Sequence, residues 1–279
     1  MNYTPYPAFE LAEYFNKIYP SILKHKILYT LLYLVFIFYF SLPSFNIPWL
    51  QYGQIRISSL MEQRALENFL LFYPRQSWVD IDDVNTNLLK AVVSMEDGKF
   101  FVHKGIDWKE LKTSLRLNKR RGRSVRGGST ITMQLSKNLF LSTSKSVLRK
   151  GKEFLITLRM EKELSKKTIL ENYVNIIEWG EGIFGIDKAA SIYFDKEPNE
   201  LTAIESSKLA AVIPSPLRHD PSTGSRYVNR RSSIIRGRIN DIQLFPEESK
   251  WSWGICSIWL KRVKTLHANS RESFQLQKK

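Results

Sequence analysis

The chain is poor in the residues that staple or metallate small proteins. Cys256 is its single cysteine among 279 residues, so neither an intrachain disulfide nor a cysteine-built metal site can form. The four histidines, His25, His103, His219 and His267, are scattered without metal-ligand spacing. Acid is scarce as well: 27 Asp and Glu stand against 42 Lys and Arg, a formal net charge of +15. That excess calls for an anionic partner, whether nucleic acid, an anionic membrane face or a phosphorylated substrate. There is no internal repeat and no strand-rich stretch, so a mainly helical fold is expected. With 43% hydrophobic residues the chain is not of a disordered composition, and its length allows one or two domains with a real core.

One run lacks charge altogether, residues 27–42, ILYTLLYLVFIFYFSL. It falls slightly short of the roughly 20 residues that span a bilayer. Ile22 and Leu23 extend it if Lys24 and Lys26 snorkel to the interface. Beyond Pro43, Phe45, Trp49 and Tyr52 suit the headgroup level. The expectation is one N-terminal transmembrane helix over residues 22–45, after a short N-terminus (1–21) and before a membrane-proximal segment (46–78). A cleaved signal peptide fits less well, because the run is long and no small-residue cleavage site follows. Lys17, Lys24 and Lys26 precede the span, so the positive-inside rule leaves the N-terminus cytoplasmic and the rest outside the inner membrane.

After the anchor, residues 57–71 read as an amphipathic helix. Asp80, Asp82 and Asp83 resemble the Asp-x-Asp metal signature of some sugar transferases, but acids before a helix more often serve its positive N-terminus. A helix starts near Asn85 or Thr86 with Leu88, Leu89, Val92 and Val93 as its apolar stripe, and the next position on that stripe is Glu96. Desolvation there raises a carboxyl's pKa toward neutrality, which suits a general base or acid; a structural glutamate in a buried network is the plainer alternative. Asp107 and Glu110 read as a capping box, with Leu111 and Leu115 as the core face of the helix it opens. His103 reads better as a structural hydrogen-bonding residue than as a catalyst.

Residues 119–126, KRRGRSVR, read as a basic loop: a solvated surface, a phosphate funnel or a lipid-headgroup contact. Gly127-Gly128-Ser129-Thr130 then opens a helix whose polar face carries Gln134, Lys137 and Asn138, a plausible pyrophosphate seat. Ser146 caps the next helix. Val147, Leu148, Phe154, Leu155 and Leu158 read as its core side, and Arg149 and Glu153 share a face among Lys145, Lys150 and Lys152. Taken alone, that pair reads as a surface ion pair. Ser165 caps a further helix, residues 178–185 form a loop, and Thr202 with Glu205 makes a second capping box. A last basic helix covers about 225–244, and residues 246–279 form a basic aromatic tail suited equally to a membrane surface or to packing on the domain.

The ordered motifs are more specific than any one of them. They are Glu96-Asp97-x-x-Phe100-x-x-His103-x-Gly105-x-Asp107, then Gly127-Gly128-Ser129-Thr130-Ile131-Thr132-x-Gln134-x-x-Lys137-Asn138, then Arg149-Lys150-x-x-Glu153. Ile169-Leu170-Glu171-x-Tyr173-x-Asn175 and Leu201-x-x-x-Glu205-x-x-x-Leu209-Ala210-Ala211 follow. Together they resemble glycosyltransferase family 51, the peptidoglycan glycosyltransferases. Glu178-Trp179-Gly180 and Pro214-Ser215-Pro216-Leu217-Arg218 look like its monofunctional biosynthetic transglycosylase branch.

That resemblance implies a lysozyme-like, mainly helical glycosyltransferase domain over 79–245. It implies polymerisation of lipid II into β-1,4 glycan strands on the periplasmic side of a bacterial inner membrane, with undecaprenyl pyrophosphate released. Glu96 would be the general base, and Glu153 would assist at the pyrophosphate, directly or through water or a divalent cation such as magnesium. Lys137, Lys145, Arg149 and Lys152 would hold phosphates, while Ser129 and Gln134 position sugar and phosphate oxygens. The implied partners are lipid II, the growing strand, the membrane, and cell-wall synthesis or division proteins, but not nucleic acid. Met133 departs from the family's usual glutamine, no transpeptidase domain is present, and Ser142-x-x-Lys145 is treated as a chance Ser-x-x-Lys. Two other readings stay open: a lysozyme-like glycan cleaver, and a non-catalytic membrane-tethered module that binds an anionic polymer.

Overall fold

The computed structural model of the chain describes residues 25–43, 46–54, 57–68, 76–123, 125 and 127–246, together with Tyr19. Residues up to 243 form one compact unit. Outside the described residues lie Ile22 and Leu23 of the expected span, Phe45, the end of the expected 57–71 helix, Ser124 and Arg126 of the basic run, and the tail beyond Pro246.

Helix α1, Lys26–Phe40, is formed by the uncharged run, and none of its residues is buried. Its 15 residues cover about 22 Å. Among the described residues no helix is long and apolar enough to cross a membrane. Lys152 Nζ stands 5.8 Å from the centre of the Phe38 ring, which brings α1 close to a later helix of the domain. After a 3-10 turn, Pro48–Gln51, helix α2 spans Ser59–Glu67, with the Ser58 hydroxyl accepting from Met61 N–H at 3.2 Å.

The domain core begins with α3, Thr86–Glu96, capped by Asn85, whose side chain accepts from Asn87 N–H. Leu88, Leu89, Val92 and Val93 are all but fully buried, as their spacing requires. They face α9 (Ala203–Val212) and α10 (Arg226–Arg236). The Thr202–Glu205 capping box forms as expected. Helix α10 ends at Arg236 rather than near 244, because the chain passes through Gly237 into the 3-10 turn Ile239–Asp241.

Helices α4 (Trp108–Arg121), α5 (Ile131–Phe140), α6 (Val147–Glu163) and α7 (Lys166–Ile176) follow. Asp107 caps α4 by accepting from Glu110 N–H, but the expected core face is wrong. Leu115 is 61% exposed, and Ser114 is the buried residue, because Gly128 crosses α4 closely there. A Cβ on Gly128 would lie 3.2 Å from both Leu111 Cα and Ser114 Cβ. Lys119, Arg120 and Arg121 belong to the last turn of α4, not to a loop.

Residues 178–185, expected as a loop, form a short antiparallel pair, β1 (Glu178–Gly180) and β2 (Ile183–Phe184), before α8, Ile186–Phe194. Such short strands leave too little alternation to read from sequence. Arg64 on α2 grips β1: its Nε lies 3.1 Å from both Glu178 oxygens, and Nη2 lies 2.9 Å from Oε2. Glu178 is buried, and burial pushes its pKa up against the pull of Arg64. Replacing Arg64 with Ala therefore leaves a buried carboxylate without its cation. Unfolding of the detergent-solubilised full chain is expected to show a loss of about 2–3 kcal/mol, whereas breaking the exposed Asp82–Lys167 pair should leave stability unchanged.

Candidate active site

Glu96 closes α3 at the end of its buried stripe. The residue as a whole is half-buried, but its Oε1 is sealed from solvent and has no hydrogen-bond partner. Its Oε2 accepts from Gln134 Nε2 at 2.6 Å. The Tyr173 hydroxyl donates to Gln134 Oε1 at 3.0 Å, so the amide must turn its NH2 toward Glu96. Burial pushes the Glu96 carboxyl above the ordinary carboxylate range. The Gln134 hydrogen bond and the nearby cations Arg231 and Lys137 oppose that shift, while Asp97 adds to it.

The residues after Glu96 fasten this site to α5. Asp97 holds His103 Nε2 at 2.9 Å and accepts from Ile131 N–H at 3.2 Å. Thr130 caps α5, accepting from Met133 N–H, and its hydroxyl donates to Gly105 C=O at 2.5 Å. Gly105 has φ +82, and a Cβ there would meet Glu161 Cγ at 2.8 Å, so no side chain fits that turn. His103 thus takes the structural role expected of it.

Helix α6 corrects the expected surface pair. Val147 and Leu148 are 92% and 64% exposed, Leu155 and Leu158 are also exposed, and Phe154 is half-buried against the Trp108 ring. The buried stripe is Glu153, Ile156, Thr157 and Met160, turned onto α5. Ser136 and Thr157 meet at 3.2 Å in that contact, and small polar residues there let the helices approach closely. Glu153 is 2% exposed and holds two cations. Arg149 Nη1 donates to Oε2 at 2.5 Å, and Lys150 Nζ donates to Oε1. Lys150 Nζ also donates to Ser129 Oγ at 3.1 Å.

Lys137 lies on α5, one turn beyond Gln134. Burial lowers its pKa, and Arg149 and Lys150 act in the same sense, while Glu153 and Glu96 both pull the other way. One ammonium therefore lies in the field of both carboxylates. Lys145 stands exposed on the 141–146 loop, and Lys152 lies over Phe38.

The structure thus gathers Glu96, Gln134 and Lys137, and separately Glu153, Arg149 and Ser129, around α5. Sequence reasoning passed over Lys150 as a direct partner of Glu153, though the spacing of three was there to read. It passed over Tyr173 as the residue that orients Gln134, and over Arg231, whose charge acts on Glu96 through space from α10 with no local signal. Arg231 Nη1 lies 3.9 Å from Met95 Sδ, and its guanidinium packs over the Tyr227 ring.

A resident divalent cation does not fit this donor set, because both Glu153 oxygens are held by cations of the chain. Among the described residues no cluster of His, Cys, Asp or Glu could hold a metal. That includes Asp80, Asp82 and Asp83, of which Asp82 is held by Lys167 at 2.7 Å.

The family model described as transglycosylase matches residues 62–240, which contain every residue of this site. A biosynthetic peptidoglycan transglycosylase of Laribacter hongkongensis is 41% identical over 170 residues, 61% of this chain and 75% of the relative. One of Thiobacillus denitrificans is 44% identical over 168 residues, 60% and 72%. One of Aromatoleum aromaticum is 40% identical over 195 residues, 70% and 82%. The chain belongs to the transglycosylase family, glycosyltransferase family 51, and is a peptidoglycan glycosyltransferase of its monofunctional biosynthetic branch.

Proposed function

We propose that this enzyme joins lipid II units into β-1,4 glycan strands, with Glu96 as general base and the α5–α6 cations as the seat of the donor pyrophosphate. The observation that carries this reading is the placing of two carboxylates about α5: Gln134 of α5 donates to Glu96 at 2.6 Å, and Ser129, just before α5, accepts from the Lys150 that holds Glu153. In the reaction, Glu96 takes the proton of the acceptor's sugar 4-hydroxyl. The oxygen forms its bond to the donor anomeric carbon from the face opposite the pyrophosphate, so the configuration inverts from α to β. The bond from that carbon to the phosphate oxygen breaks, and undecaprenyl pyrophosphate leaves with the electron pair.

Lys137, Lys145, Arg149, Lys150 and Lys152 meet the charge that gathers on the leaving group, so no strong acid is needed there. Glu153 holds Arg149 and Lys150 together, and Lys150 also donates to Ser129. Gln134 holds the base by one oxygen and leaves the other for the proton. A glycan-cleaving enzyme would have no use for such a concentration of cations, and a passive polymer-binding module would have none for a partnerless carboxyl oxygen.

A lipid substrate asks for a membrane surface. In this reading the enzyme is anchored by residues 22–45 with its domain on the periplasmic side of the inner membrane. The apolar α1, with no buried residue, and the exposed Val147, Leu148, Leu155, Leu158 and Trp108 support it, since each is costly in water and favoured in lipid.

With labelled lipid II, wild type is expected to form long strands. Glu96→Gln should lose roughly 10²- to 10⁴-fold in rate while remaining folded; a normal rate in that variant, or shortening of preformed strands by wild type, contradicts the assignment. Lys137→Ala should weaken binding of lipid II or a phosphoglycolipid by roughly tenfold or more, and unchanged affinity would remove Lys137 from the phosphate site. The raised Glu96 pKa also sets a sign for stability. A carboxyl whose folded pKa exceeds its unfolded value contributes most below the unfolded value, and that contribution is lost as pH rises through the folded one. Glu96→Gln should therefore stabilise the fold at neutral pH and flatten the decline between those limits, read as unfolding midpoint against pH.

A further inference from the structure

Helix α2 contributes no residue to the site, yet it is fastened to the loop that joins the site's helices α5 and α6. Gln63 Nε2 donates to Thr143 Oγ1 at 2.7 Å, and the Thr143 backbone N–H donates back to Gln63 Oε1 at 3.0 Å. This reciprocal pair joins α2 to the 141–146 loop between α5 and α6. From the other side, Arg149 Nε donates to Ser144 C=O at 2.5 Å, while the same guanidinium holds Glu153. Lys145 follows directly, and Ser146 then caps α6. Lys145 is thus carried between fixed points: Thr143 held by α2, Ser144 held by Arg149, and Ser146 held by the helix it starts.

We propose that Gln63 is a positioning residue for the donor's phosphates, holding the 141–146 loop so that Lys145 stands ready at the pyrophosphate. The inference rests on the phosphate role given to Lys145 above. Helix α2 is a suitable brace because its own seat does not depend on Gln63. Leu60 and Met61 are buried together with Phe184, and Arg64 grips Glu178. The loop is different, since residues 142–146 are exposed and bury nothing that would hold them. Gln63 itself bonds in an exposed setting, so water replaces its partners at little cost to stability. What is lost without it is order in the loop, and substrate binding must then supply that order. The effect belongs in KM, because Lys145 reaches the same final position once the phosphates are bound.

The test uses the full-length, detergent-solubilised enzyme and steady-state polymerisation of labelled lipid II. Wild type is compared with Gln63→Ala, Thr143→Ala, Lys145→Ala and the Gln63→Ala/Lys145→Ala double variant, each with its unfolding midpoint. Gln63→Ala is expected to raise KM about five- to tenfold, with kcat and midpoint unchanged. Thr143→Ala should raise KM less, and Gln63→Ala should add nothing once Lys145 is Ala. Additive effects in the double variant, a fall confined to kcat, or an unchanged KM in Gln63→Ala where Lys145→Ala raises it would overturn the proposal. Should Lys145→Ala leave KM unchanged while Lys137→Ala weakens binding, the phosphate site stands, Lys145 leaves it, and the role given to Gln63 falls with it.

Discussion

The hydrogen bond from Gln134 to Glu96 is the contact on which the site depends, because it makes α5 the common support of both carboxylates. Gln134 faces Glu96, and Lys137 lies on the same helix within the influence of Glu153 as well. The N-terminus of α5 is fixed independently. Asp97 receives the Ile131 N–H, and Thr130 bonds the Gly105 carbonyl. The residue next to the proposed base therefore also holds the helix that orients it. Moving α5 would disturb the base, its amide partner and the shared cation at once.

The two glutamates differ because their surroundings differ in kind. Glu153 has a cation on each oxygen, and burial is offset by opposite charge at hydrogen-bond distance. Glu96 has an amide on one oxygen and no partner on the other, with Arg231 and Lys137 acting through space. The first arrangement holds charge still and aligns cations, as a pyrophosphate seat requires. The second leaves a carboxyl with an elevated pKa and one unbonded oxygen, the setting proposed above for a general base.

What could be read from the chain followed from how local the governing force was. The cap residues Asp107, Ser146, Ser165 and Thr202 each answer their own first turn, and each was legible. Glu96 could be found because the stripe of Leu88, Leu89, Val92 and Val93 points at it. Helix α6 defeated the same reasoning. Its exposed face, with Val147, Leu148, Leu155 and Leu158, is more apolar than its buried face of Glu153, Ile156, Thr157 and Met160. A rule that turns the greasier side inward fails where ion pairs and hydrogen bonds, rather than apolar area, hold the inner face. The resemblance to a known family recovered Glu153 where periodicity misplaced it. Arg231, Tyr173 and Gln63 act across long stretches of chain, and no spacing announces them.

The central claim is geometric: α5 braces the proton acceptor at the end of α3 and the phosphate seat on α6 as parts of one site. A crystal structure of the full-length enzyme with a phosphoglycolipid bound tests it most directly. The account predicts phosphate oxygens among Lys137, Lys145, Arg149 and Lys150, with the sugar lying toward the carboxyl of Glu96. A phosphate seated elsewhere on the domain, or sugars running away from Glu96, would contradict it.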